Sequence, residues 1–170
     1  MTRATRPFTD AATVLVILLT SAAPISPACA GGSTRGTAAY SRGDYARTVR
    51  ELTSAAARGN ARAQGRLGFM YENGFGVPQN YAAAADLYQR GAAQGDAFAQ
   101  SRLGLSYDKG HGVPQDLILS YKWLDLATAN ASRYERDFYQ RLRDAVASKM
   151  TSGQIVEGQR LALIWAPVRW

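Results

Sequence analysis

Residues 59–94 and 95–130 are the same 36-residue motif written twice without a gap, with identical residues at 14 positions. The first copy reads GNARAQGRLGFMYENGFGVPQNYAAAADLYQRGAAQ and the second GDAFAQSRLGLSYDKGHGVPQDLILSYKWLDLATAN. A period of this size encodes one helical hairpin per repeat, and such hairpins bury their apolar faces only by stacking on their neighbours. The chain is therefore expected to be an all-α solenoid. That constrains architecture strongly and function only to a class, because solenoids present surfaces and rarely spell out the partner.

Punctuation sets the helix limits. Asp44, Asn60, Asn80, Asp96 and Asp116 are short polar residues that cap the helices they precede. Gly59, Gly74, Gly95 and Gly110 stand where a left-handed residue closes a helix. Gly76 and Pro78, and Gly112 and Pro114, lie in the shared loop (GFGVPQ and GHGVPQ), where proline stops the first helix from running on. Each repeat then has a helix A (about 60–73 and 96–109) and a helix B (about 80–94 and 116–129). Asp44-Tyr45 aligns with Asn80-Tyr81, and Ala56 with Ala92, so 44–58 is a lone helix B.

Beyond residue 130 the period is lost. A charged helix is expected over 132–150, with Tyr134, Phe138, Leu142 and Val146 as its packing stripe. Thr151 to Gln154 forms a capping box that Met150 and Ile155 staple, opening a last helix over about 152–165. The segment 131–170 thus serves as a C-terminal helical cap.

Within helix A, Ala63, Leu67 and Tyr71 share a face, as do Ala99, Leu103 and Tyr107. Gly68 and Gly104 recur inside the helix, where glycine costs about 1 kcal/mol against alanine, which implies a close helix contact. Helix B supplies Tyr81, Leu87 and Tyr88, then Leu117, Trp123 and Leu124, as wedges between A helices.

The pattern A-x-x-x-L-G-x-x-Y-x-x-G-x-G-V-P-Q-(N/D), followed by an aromatic pair and an alanine-rich helix end, resembles the Sel-one-like repeat family, which is related to tetratricopeptide repeats. The resemblance covers 44–130: a half repeat (44–58) and full repeats at 59–94 and 95–130. Gly91, Ser120 and Thr48 depart from the expected helix-B alanines. The segment from Met150 to Trp165 is similar to the C-terminal segment of exported bacterial members. The family implies a right-handed α-solenoid, with helix A lining the concave surface. On that basis Arg66 and Arg102, at one repeat position, form a basic ladder into a groove, with Arg62, Phe69, Met70 and Leu105 as neighbours. Arginine with apolar side chains suits an acidic or extended peptide. The alternative reading has both arginines pairing across the repeat surface.

The N-terminus reads as a secretory signal peptide over 1–30. Arg3 and Arg6 precede an apolar run from Ala11 to Leu19, and Ala28 and Ala30 offer a cleavage site after Ala30. The run is shorter than the roughly 20 residues of a membrane span. A retained anchor and an acylated Cys29 are the alternatives, the latter disfavoured because Ser26, Pro27 and Ala28 lack the usual leucine. Residues 31–43 form a Gly/Ser/Thr-rich linker. Cleavage removes the single cysteine and, with Arg3, Arg6 and Asp10, takes the net charge from +7 to +6 (18 basic, 12 acidic). Export makes nucleic acid a poor ligand and leaves an acidic protein, an acidic polysaccharide or an anionic membrane face as partner classes, with a basic surplus that only aids solubility as the alternative. The uncovered face of the first helix raises the expectation of a homodimer.

Chemistry is sparse. His111 is the single histidine, with Phe75 as its counterpart, and reads as a loop residue. Glu72 and Asp108 share a repeat position. Helices stacked about 10 Å apart hold such a pair too far apart for a retaining glycosidase and just beyond the ~6.5–9.5 Å of an inverting one. They read as solvated helix-end charges. Arg133, Arg136, Arg141 and Arg143 alternate with Glu135, Asp137 and Asp144 and read as a solvated face. The GFGVPQ loop lacks the preceding strand and glycine spacing of a phosphate cradle. No catalytic residue, metal or cofactor is expected. Some cysteine-rich exported relatives are described as β-lactam hydrolases, but their paired cysteines are missing here. The expected role is a non-catalytic adaptor of the bacterial envelope, with polysaccharide or peptidoglycan binding as the alternative.

Overall fold

The structure is a computed structural model that describes residues 43–165 and 167. The expected signal peptide with its cleavage site, Cys29 and the expected linker up to residue 42 lie outside the described residues. Seven helices and no strand are found among those described: α1 (Tyr45–Ala57), α2 (Ala61–Asn73), α3 (Tyr81–Ala93), α4 (Ala97–Lys109), α5 (Leu117–Asn130), α6 (Arg133–Ala147) and α7 (Ser152–Leu163). No helix among them is long and apolar enough to cross a membrane.

Each expected cap forms. The side chains of Asp44, Asn60, Asn80, Asp96 and Asp116 each accept the amide N–H three residues on. Thr151 and Gln154 complete their reciprocal capping box. Gly74 and Gly110 close α2 and α4 in the left-handed region, at φ 69° and 70°. The GVPQ loop then turns back onto its helix: Gln79 Nε2 donates to the Glu72 carbonyl at 2.8 Å, and Gln115 Nε2 to that of Asp108 at 2.6 Å.

The hairpins α2–α3 and α4–α5 stack in order, with α1 on α2, α3 on α4, and the two A helices α2 and α4 also adjoining. Gly68 and Gly104 explain how close the hairpin helices come. A Cβ on Gly68 would lie 2.7 Å from the Tyr88 ring, and one on Gly104 2.8 Å from Leu124. Gly91 does the same between repeats, where a Cβ would meet the Ala61 carbonyl at 2.8 Å and the Ala99 methyl at 2.9 Å. The core holds Ala63, Leu67 and Met70 against Leu52, Ala55 and Ala56, then Tyr88, Ala99, Leu103 and Trp123. Tyr71 and Tyr107 pack against it half-buried.

A buried amide ladder runs through this core. Gln64 Nε2 donates to the Ala56 carbonyl, and Gln100 Nε2 to that of Ala92, each at 3.2 Å. Gln94 donates to Gln64 Oε1 at 2.8 Å, and Asn130 to Gln100 Oε1 at 3.0 Å. Gln64 and Gln100 thus satisfy buried carbonyls and are themselves satisfied by Gln94 and Asn130 at the edge of the core.

Two expectations need correction. Tyr81 is not a wedge between A helices: it is 37% exposed and packs on the next repeat's loop. In α6 the packed residues are Tyr139, Leu142 and Val146, while Tyr134 and Phe138 face solvent. A four-residue step overshoots the 3.6-residue turn by about 40°, so a stripe written in fours leaves the buried face within three steps. The helix α1, on whose edge a homodimer is expected, exposes Arg47, Arg50, Thr53 and Ser54 and no large apolar side chain.

The C-terminal helices do not form another hairpin. Both α6 and α7 pack on α5 and touch each other little. Gly158 lets α7 approach Tyr121, and Trp165 packs edge-on against Trp123 at 6.0 Å.

Candidate functional site on the A-helix face

The face of α2 and α4 is organised by arginine and aromatic rings. The Arg102 guanidinium carbon lies 4.8 Å from the centre of the Phe69 ring and 5.2 Å from that of Phe98. The two phenyl rings meet edge-on at 6.2 Å. The row continues through Phe75, 6.0 Å from Phe69, to Tyr45, stacked 5.1 Å beyond. Such cation–π contacts hold a flat cation without consuming its in-plane N–H donors.

Behind the rings sits a carboxylate. Arg102 Nη1 lies 3.9 Å from Glu72 Oε2, which accepts a 2.5 Å hydrogen bond from the Tyr88 hydroxyl. Burial, then the neighbouring Glu72 carboxylate, pushes the Tyr88 phenol far above its ordinary value, so it stays a donor. Glu72 is therefore a structured anchor and not a solvated helix-end charge. Asp108 is likewise engaged, accepting Lys149 Nζ on both oxygens at 2.8 Å and so tying α4 to the end of α6.

Arg62 is exposed on α2, and Arg66 is half-buried beside it. Both act on Asp96, the N-cap of α4. Burial raises the Asp96 carboxyl; its bond from the Ala99 N–H and the charges of Arg62 and Arg66 only partly offset this. Leu105 is half-buried on α4. Met70 is corrected: at 1% exposure it belongs to the core with Leu67 and has no surface to offer a partner. Phe98 escaped the sequence reading because the repeat places it opposite Arg62, a position that looks variable. His111 stacks its ring on Tyr81, with centres 4.4 Å apart.

The Sel1 repeat model matches residues 61–96 and 97–132. Two solved structures share the fold. One is a protective antigen present in uropathogenic Escherichia coli strains and displaying an SLR fold, at TM-score 0.70 and 28% identity over 76% of this chain. The other is a Sel1 repeat protein from Oxalobacter formigenes, at TM-score 0.60 and 26% identity over 77% of this chain. The matches cover 28% and 54% of those two chains, so both neighbours are longer. No curated protein matches. Residues 61–132 are two Sel1 repeats, set in an all-α solenoid like that of the SLR neighbours. Sel1 repeats generally mediate protein–protein interaction, and the fold is typically a non-enzymatic scaffold.

Proposed function

We propose that this protein is an exported, non-catalytic adaptor of a bacterial envelope, which grips an acidic, extended segment of a protein partner on its A-helix face. The observation that carries this reading is the Arg102 guanidinium held between Phe69 and Phe98. A cation stacked on two rings is pre-positioned, so binding a carboxylate costs little side-chain entropy. Arg62 and Arg66 extend the positive charge, and Leu105 adds apolar contact. Two full repeats make a short face that suits a single segment better than a wrapped domain.

The test is crosslinked capture from envelope extracts with the wild type and with Arg62→Glu/Leu105→Asp. A defined protein held by the wild type and lost by the variant, at unchanged helix content, supports the reading. The surplus of 20 basic over 13 acidic side chains favours acidic polysaccharide as a second reading. Binding to purified acidic glycan that falls steeply with salt, with no protein captured, would replace the first with the second. Export itself predicts a mature chain that begins at Gly31, which N-terminal sequencing of the envelope form reads directly.

A further inference from the structure

The outer face of α6 carries two exposed aromatic rings among charged side chains. Tyr134 is 91% exposed and Phe138 52%. With Arg141 and Ala145, also exposed, they follow the spacing i, i+4, i+7, i+11, which keeps one seam along a helix. Arg133, Asp137 and Asp144 flank that seam, all exposed. Among the described residues Arg133, Asp137 and Arg141 make no ion pair, while Asp144 is held by Arg143 at 2.9 Å. The opposite face of α6 is committed to α5 through Tyr139, Leu142, Val146 and the 3.0 Å pair of Arg143 with Asp125.

The charge order along the seam is complementary to itself when reversed. A two-fold axis at the level of residue 139 sets residue n against residue 278 − n of a second, antiparallel α6. Asp137 then faces Arg141 of the second copy, and the symmetry repeats that pair. Arg133 falls beside Asp144 of the second copy, again twice. The two Phe138 rings lie on either side of the axis, and Tyr134 covers Ala145 of the second copy. Along the flank that carries Arg133, Asp137 and Asp144, opposite charges meet and no like charges are opposed. In a parallel pairing Arg133, Asp137 and Asp144, which share one flank, would face the partner's opposite flank and lose these partners.

We propose that α6 is a homodimerisation helix, and that its occupant is the α6 of a second copy of this chain. The dimer joins two solenoids at their C-terminal ends. The proposal does not depend on what the A-helix face binds. One helix per copy buries less than the roughly 800 Å² per partner of a standard interface, so association is concentration-dependent.

The test is charge reversal read by sedimentation velocity and light scattering over a concentration series. Wild type is expected to move from one chain mass to two as concentration rises. Asp137→Arg and Arg141→Asp each place like charges across the axis and are expected to weaken association at least tenfold. The double variant Asp137→Arg/Arg141→Asp restores both cross-pairs with inverted sign and is expected to dimerise again. Both substituted positions face solvent, so circular dichroism should match the wild type. A wild type that stays monomeric at the highest concentration overturns the proposal, as do single reversals that dimerise as well as the wild type or a double reversal that does not recover.

Discussion

The imidazole of His111 lies on the phenol ring of Tyr81, with ring centres 4.4 Å apart, where one repeat earlier Phe75 lies on Tyr45 at 5.1 Å. The same joint is therefore built twice: the loop of each hairpin lays an aromatic ring on the first residue of the preceding B helix. The histidine serves packing here. His111→Phe should preserve stability, whereas His111→Ala should lose about 1 kcal/mol, the usual worth of an aromatic pair. Urea unfolding of the three proteins checks this.

The glycine after that ring fixes how close the joint is. Gly112 has φ 74°, and a Cβ there would lie 2.1 Å from the Tyr81 carbonyl oxygen. Gly110 has φ 70° but meets nothing closer than 3.6 Å. Gly110→Ala should therefore cost only the left-handed penalty of about 1–2 kcal/mol. Gly112→Ala must also push backbone from backbone, and its thermal midpoint should fall well below that of Gly110→Ala. Equal midpoints would mean the loop does not press on Tyr81.

The amide ladder predicts an asymmetry between its members. Gln100 is fully buried and bonds both Ala92 and Asn130. Gln100→Leu keeps the volume but strips a buried hydrogen-bond partner, an effect of about 1–3 kcal/mol. Asn130 is exposed, so water replaces its bond, and Asn130→Ala should cost less than half as much. Denaturant midpoints of the two variants decide it.

Asp96 predicts a pH dependence. Burial raises its carboxyl in the folded state above the ordinary 3.8, so the unfolded chain gives up this proton first. Stability from this group is present below that value and is lost as pH rises through the folded value. Asn60 and Asn80 cap their helices as amides. Asp96→Asn should thus be at least as stable as the wild type at pH 7, with its advantage shrinking to nothing as pH falls below about 3.8. The stability difference between the two proteins across pH measures it.

Most of the fold was legible because repeated punctuation has a local cause. Asp96 and Gly110 do their work within one helical turn, and Gly68 signals a close neighbour through the cost of placing it mid-helix. What stayed illegible depends on angular position or on the partner across a gap. Tyr134 and Phe138 read as core because steps of four look apolar along the line while rotating off the buried face. Met70 lies one residue from Phe69, yet that rotation of about 100° puts it in the core. Phe98 occupies the place of Arg62, so comparing the copies hid it, although its ring completes the Arg102 stack. Glu72 looked like a free end because its partner, Tyr88, lies on the returning helix.

The amide ladder and the ring-on-ring joint both recur with the 36-residue period of 61–96 and 97–132. Every residue a unit needs from its neighbour is one that it also supplies. A duplicate of 61–96 spliced after Asp96 would set its own Phe75 equivalent on Tyr81 and offer its own Tyr81 equivalent to His111. Its new glutamine would find the Ala92 carbonyl, and its copy of that carbonyl would await Gln100. The molecule can lengthen by whole units without any residue elsewhere having to change. Length is thus a quantity that gene duplication is free to set in this chain.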